Sequence, residues 1–185
     1  MKRFILTGTP GAGKTAILRQ LELDGYGVVE EAATAVIALQ QAQGIAEPWT
    51  CPSFIDEIVH LQRQRQMRAS YVPDDVQFHD RSAVCTAALA IYLGYPVSDA
   101  VSSELERILS QQIFQKKVFL IRNLGFIAPT EARRISFDES LRFERIHEET
   151  YRDFGFEIIS IHQASVSARV AIINEVLLRV NGRQK

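Results

Sequence analysis

What this 185-residue chain lacks narrows its class first. No apolar run comes near the ~20 residues that cross a bilayer, so no membrane partner is expected. Cysteine is scarce. Cys51 and Cys85 lie far apart, outside any metal-binding spacing, which argues against a disulfide framework and a thiolate metal site. They read as buried or half-buried thiols of a reducing compartment, and the expected location is cytoplasmic. The four histidines, His60, His79, His147 and His162, form no His-x-x-x-His pair. An excess of either charge is missing too: 21 Lys and Arg face 22 Asp and Glu, for a net charge of −1. No global field therefore draws nucleic acid or an anionic membrane. The apolar run at Phe4–Leu6 is too short for a signal peptide and gives way to Gly8. No repeat, low-complexity tract or Gly/Pro/Ser-rich linker interrupts the chain.

What is present is an ordinary globular composition, 46% apolar and 23% charged, read as a single domain over 1–185. Arg3 to Thr7 reads as a buried strand that runs into a glycine loop. Ile17, Leu18 and Leu21 then recur at helical spacing as far as Gly25. Val28-Val29 is a short strand, and Ala32 to Gln43 a helix stopped by Gly44. Ser53 is expected to cap a helix reaching Ser70, with Asp56 and Glu57 in its first turn. Val76 to Asp80 is a strand, Ser82 to Leu93 a helix, Asp99 to Gln115 another, and Lys116 to Ile121 a strand. Ser136 and Glu139 have capping-box spacing, starting a helix that runs to Phe154. Phe156 to Ile161 is the last strand and Val166 to Val180 the last helix. Strands alternating with helices predict an α/β fold, a parallel sheet covered on both faces, with ligand contacts at the carboxyl ends of the strands.

The strongest signal is "GTPGAGKT", Gly8 to Thr15, which fits Gly-x-x-x-x-Gly-Lys-Thr between an expected strand and an expected helix. Gly8, Thr9, Pro10, Gly11, Ala12 and Gly13 curl so that backbone N–H groups face phosphate oxygens. Lys14 is expected to reach the β- and γ-phosphates and Thr15 to ligate Mg²⁺, while Thr15 and Ala16 open the helix whose positive end faces the same anion. Asn-Lys-x-Asp, the usual guanine signature, is absent, so ATP is the expected nucleotide.

Three further stretches carry candidate chemistry, each with a plainer alternative. Asp80, in "FHDRS", reads as part of a Mg²⁺ shell beside Arg81, or as the cap of the helix that follows. Glu31, in "VVEEAAT", reads as a proton acceptor facing an attacking hydroxyl, or with Glu30 as a helix-terminus stabiliser. Arg134 reads as the cation of a lid over about 125–140, or as part of a solvated helix; Arg142 and Arg145 read as solvated. "QRQRQMR", Gln62 to Arg68, is either an acceptor-pocket wall or a solvated face, with Gln62 turned toward the core.

Taken together, "FILTGTPGAGKT", "VVEEAA", "FIDEIVHLQRQRQ", "HDRS" and "YRDFGFEIISI" resemble the small P-loop AAA-type domains related to the ribosylnicotinamide kinase domain of NadR-type regulators. "HDRS" is also similar to the Asp/Glu-Arg-Ser of deoxynucleoside kinases. In the lid, Glu131-Ala132-Arg133-Arg134 stands where kinase relatives carry Asp-Gly-x-Arg. The resemblance implies a three-layer P-loop NTPase of nucleotide-kinase type, with five strands in the order 2-3-1-4-5. It implies Glu31 and Asp80 as the site carboxylates and Arg134 as the lid arginine. The expected function is ATP- and Mg²⁺-dependent transfer to a small hydroxylated acceptor, such as a nucleoside or riboside. The alternative is a nucleotide-dependent switch with slow hydrolysis and a protein partner.

Overall fold

A computed structural model of the chain describes residues 1–124 and 136–182. β1 (Lys2–Thr7) leads through the glycine loop into α1 (Lys14–Leu23), β2 (Gly27–Val29) and α2 (Ala32–Ala42). A single 3₁₀ turn at Pro48–Thr50 precedes α3 (Ser53–Ala69), β3 (Val76–Asp80), α4 (Ala83–Leu93) and α5 (Asp99–Ser110). β4 (Lys117–Ile121), α6 (Phe137–Asp153), β5 (Glu157–Ile161) and α7 (Val166–Gly182) complete the described chain.

The five strands form one parallel sheet in the order β2-β3-β1-β4-β5. Alternation along β1 sorts its side chains between two layers. Phe4 and Leu6 pack with Ile17, Leu21, Ile173 and Leu177 of α1 and α7. Ile5 faces the opposite side, with residues of α2 to α6 such as Ile55, Ile58, Val84 and Tyr151. A strand covered on both faces has no solvent side, which is why β4 reads as a nearly continuous apolar run and β1 is apolar from Phe4 to Leu6. The three-layer architecture and strand order agree with the expectation from the sequence.

Local chemistry explains most element ends. Ser136 and Glu139 form the expected reciprocal capping box at the start of α6. Gly94, left-handed at φ 77°, closes α4. Two expectations need correction. Ser53 is the first residue of α3, not its cap, because the chain is already helical at Pro52 and no side chain caps the end. α5 stops at Ser110, well before Gln115: Gln112 turns left-handed (φ 50°), and the Ile113 N–H closes onto the Ile108 carbonyl. The chain then bends toward β4, and the Gln115 N–H bonds the Arg3 carbonyl. Of the two thiols, Cys85 is buried as expected but Cys51 is exposed, in the loop before α3.

Candidate functional site

The glycine loop crosses the carboxyl end of the sheet between β1 and α1. A β-carbon on Gly8 would lie 2.4 Å from the Ile121 carbonyl oxygen, so only glycine passes β4 at that height. Gly11 and Gly13 are left-handed, at φ 87° and 85°. Gly13 heads α1 without any side-chain cap, which leaves the first helical N–H groups for an anion. Thr9 and Ala12 are fully buried, Pro10 is half-buried, and Thr15 and Ala16 lie at the exposed edge.

Beneath the loop sits Arg169 of α7, only 3% exposed. It donates to the carbonyls of Ala12 (2.9 Å), Arg122 (3.1 Å) and Ile161 (3.4 Å). Lys14 is buried as well. Its amine is pushed below the ordinary lysine value by burial and by the Arg81 charge, against the pull of Asp80 and Glu31.

Asp80 ends β3, and its Oδ1 is buried without a hydrogen-bond partner among the described residues. Burial raises its pKa and Glu31 adds to the rise, against the lowering effect of Lys14. The helix-cap alternative for Asp80 fails, because Ser82 caps α4 by accepting from the Val84 N–H at 3.3 Å. Between them Arg81 is left-handed at φ 74°, an uncommon conformation for a bulky side chain, with its N–H bonded to the Leu6 carbonyl. Its guanidinium donates from Nε to Glu31 Oε1 and lies 3.0 Å from His147 Nε2 at Nη1. Glu31 also accepts from the Thr34 hydroxyl at 2.7 Å. Burial alone would raise the Glu31 pKa, but Arg81, Lys14 and these hydrogen bonds outweigh it and hold the carboxyl at about 2. Glu30 points the other way, to Arg19, with both side chains half exposed. Of the adjacent carboxylates, only Glu31 joins the cluster.

A cleft opens beside this cluster, lined by Gln62, Arg65, Gln66, His79, Asp80 and Arg81 among others. Gln62 accepts from Thr86 at 2.8 Å, and Arg65 donates to the Glu30 and Glu31 carbonyls. The "QRQRQMR" stretch is thus split. Gln62, Arg65 and Gln66 turn inward, while Arg63, Gln64, Met67 and Arg68 remain exposed. Arg142 and Arg145 are exposed as expected; of the lid read over about 125–140, residues 125–135, Arg134 among them, lie outside the described residues, and 136–140 form the capped start of α6. Among the described residues no three His, Cys, Asp or Glu side chains group to hold a metal by themselves, and no helix is long and apolar enough to cross a membrane.

Sequence reading missed Arg169, Arg65 and His147. The available signal for His147 was its place four residues from both Phe143 and Tyr151, on the buried stripe of α6. His147 and His79 are both neutral in the fold and buried. Burial and the Arg3 charge lower His79 to about 3, and burial and the Arg81 charge lower His147 to about 3. A folded pKa below the unfolded value means that the unfolded chain takes up protons first as pH drops. Stability present above pH 6.5 is therefore lost between about 6.5 and 3, at roughly 1.4 kcal/mol per pH unit per histidine. Glu31 adds to the loss only below about 4.5. Urea midpoints should be nearly level from about pH 8 to 7 and fall steeply from about pH 6 to 5. Equal midpoints at about pH 7 and 5 would contradict neutral burial of both imidazoles.

Sheet order, glycine loop and buried lysine define a P-loop protein with the nucleotide-kinase-like fold. The chain belongs to the AAA domain family, whose profile matches residues 3–169. No curated protein matches it. Among solved structures, deoxyadenosine kinase from M. mycoides with dCMP and a flexible dCDP bound is 13% identical at a TM-score of 0.64, covering 95% of this chain and 98% of the kinase. The same enzyme with dCTP bound is 14% identical at 0.64, covering 96% of this chain and 98% of the kinase. NadR in complex with NAD and AMP-PNP is 16% identical at 0.68; the match covers 94% of this chain and 49% of NadR, about half that protein's length. At such identities these likenesses establish the fold alone.

Proposed function

We propose that the protein is an ATP- and Mg²⁺-dependent phosphotransferase acting on a small hydroxylated acceptor of nucleoside or riboside type. The observation that carries this reading is the Glu31–Arg81 ion pair, in which Arg81 lines the cleft and Glu31 lies within reach of the Lys14 charge. A carboxylate that is ionised at every working pH and paired to an arginine of the cleft wall can orient an attacking hydroxyl. Lys14 and the loop N–H groups would hold the triphosphate, and Arg134 belongs to the proposal as the cation brought to the transferring group. The solved neighbours bind nucleotides, including the adenine nucleotide analogue AMP-PNP and the deoxycytidine nucleotides dCMP and dCTP, which is in keeping with nucleotide and nucleoside chemistry here.

The donors present fit a metal of the P-loop kind. Thr15 is exposed at the end of the loop, and Asp80 Oδ1 is a buried acceptor with no partner among the described residues. When bound, Mg²⁺ would supply neutralisation of the triphosphate charge. Asp80→Asn should accordingly weaken ATP binding with Mg²⁺ by about tenfold or more, and binding in EDTA by far less. Equal losses under both conditions, read by calorimetry, would remove Asp80 from the metal shell.

A nucleotide-dependent switch with slow hydrolysis is the second reading. It is favoured by the hold of Arg81 on Glu31, which makes the carboxylate a weak base at rest. Incubation with γ-labelled ATP and a metabolite pool separates the two. Label in a small organic molecule supports the transferase; label only in inorganic phosphate, after an exhaustive pool, favours the switch.

A further inference from the structure

His147 is fully buried, and both of its ring nitrogens are engaged. Nδ1 lies 2.9 Å from the Phe143 carbonyl oxygen and Nε2 lies 3.0 Å from Arg81 Nη1. A carbonyl only accepts and a guanidinium only donates. The proton must therefore sit on Nδ1, and Nε2 must present a lone pair to Arg81. Charge and tautomer are both settled by the two partners.

The consequence falls on Arg81. Its backbone is pinned in a left-handed turn by the bond to Leu6, so the direction of the guanidinium is decided by what its nitrogens meet. Glu31 takes Nε and His147 takes Nη1, while Nη2 bonds no described residue and Arg81 lines the cleft. The imidazole is itself fixed. Phe143, one turn back on α6, packs edge-on against it at 4.2 Å between ring centroids, and Tyr92 of α4 packs on Phe143 at 4.5 Å. The charged groups that face His147 are Arg81 from the turn after β3, Lys14 from α1 and Glu31 from the N-cap of α2. All three belong to the candidate site.

We propose that His147 is a positioning residue for phosphoryl transfer, an acceptor on α6 that sets the plane of the Arg81 guanidinium and, through it, the carboxylate of Glu31. The inference rests on the phosphotransferase reading and adds to it a second anchor for Arg81, supplied by α6. An arginine held only by Glu31 can swing about that single bond. Held at two nitrogens it has one orientation, and the Glu31 oxygens keep theirs.

The test compares His147→Gln with His147→Leu. Glutamine can place Oε1 near the position of Nε2 and accept from Arg81; leucine fills space and cannot accept. The assay is γ-label loss from ATP in the presence of a mixed nucleoside pool, with the ATP Kd measured alongside by calorimetry. His147→Leu should lower turnover by about tenfold or more at an ATP Kd within about twofold, and His147→Gln should recover most of the rate. Wild-type turnover in His147→Leu, or equal loss in both variants, would overturn the proposal. Two controls keep the readings apart: wild-type turnover in Arg81→Ala would overturn the positioning role of His147 while leaving phosphotransfer standing, whereas label from the unmutated protein only in inorganic phosphate would refute the phosphotransferase reading itself. The ¹⁵N spectrum of the unmutated protein near pH 7 gives a readout that needs no acceptor. It should show a protonated Nδ1 and an unprotonated, hydrogen-bonded Nε2 for His147. The opposite tautomer, or an imidazolium, would sink the inference.

Discussion

Glu31→Gln should lower kcat by about 10²–10⁴-fold and leave the Kd for ATP nearly unchanged. The substitution keeps the shape of the side chain and removes its charge. What the hydroxyl loses is an anionic acceptor, held by Arg81 and Thr34. With its carboxyl held at about 2, Glu31 is a weak base but a fully ionised one. That suits a loose transition state, in which the nucleophile keeps its proton until bond formation is well advanced and needs orientation more than early deprotonation. The same value predicts no acid limb from Glu31 in a kcat profile between about pH 5 and 8. Removing the carboxylate would also leave the buried Arg81 charge without its counter-ion, so some loss of thermal stability should accompany the loss of rate. Calorimetry with ATP separates the two effects, because a misfolded variant loses binding as well. Normal turnover in Glu31→Gln, once an acceptor is in hand, would end the assignment.

Lys14→Ala should weaken Mg²⁺-ATP binding by about 10²–10³-fold, equivalent to about 3–4 kcal/mol at roughly 1.4 kcal/mol per decade. The ammonium is buried at the head of α1, so its interaction with a triphosphate is poorly screened by water. Its pKa is already pushed down by burial and by Arg81, which means that the free site holds the charge at a cost. A bound polyanion relieves that cost, and part of the binding energy comes from the relief. Thr15→Ala should show a smaller loss, visible only with the metal present. Wild-type affinity of Lys14→Ala would contradict the phosphate-loop assignment outright.

The sheet and the loop were legible because they are written locally. Apolar runs in β1 and β4, and the two glycines that the Gly-x-x-x-x-Gly-Lys-Thr pattern fixes, need no knowledge of distant residues. The site cluster was legible only at its strand ends, where topology sends Glu31 and Asp80 to the same edge. What joins them was not. Arg169 meets Ala12 across most of the chain, Arg65 reaches Glu31 from α3, and His147 meets Arg81 from α6. In the sequence each is one polar residue in a mixed-charge helix, and such residues are ordinarily solvated. Asp80 as a helix cap was plausible from spacing alone; the left-handed turn at Arg81 displaces the start of α4 and hands that task to Ser82. The early stop of α5 came from Gln112 accepting a left-handed backbone without a glycine to announce it.

Arg169 links regions that the sequence keeps apart. Its side chain joins the phosphate loop, the exits of β4 and β5, and α7 through three main-chain carbonyls. Local opening of α7 therefore removes a strut from the loop, and an anion that tightens the loop also restrains α7. In hydrogen exchange the two segments should behave as one cooperative unit, their amides acquiring protection together when nucleotide is added. The last helix is in this sense a reporter of occupancy at a loop more than 150 residues before it.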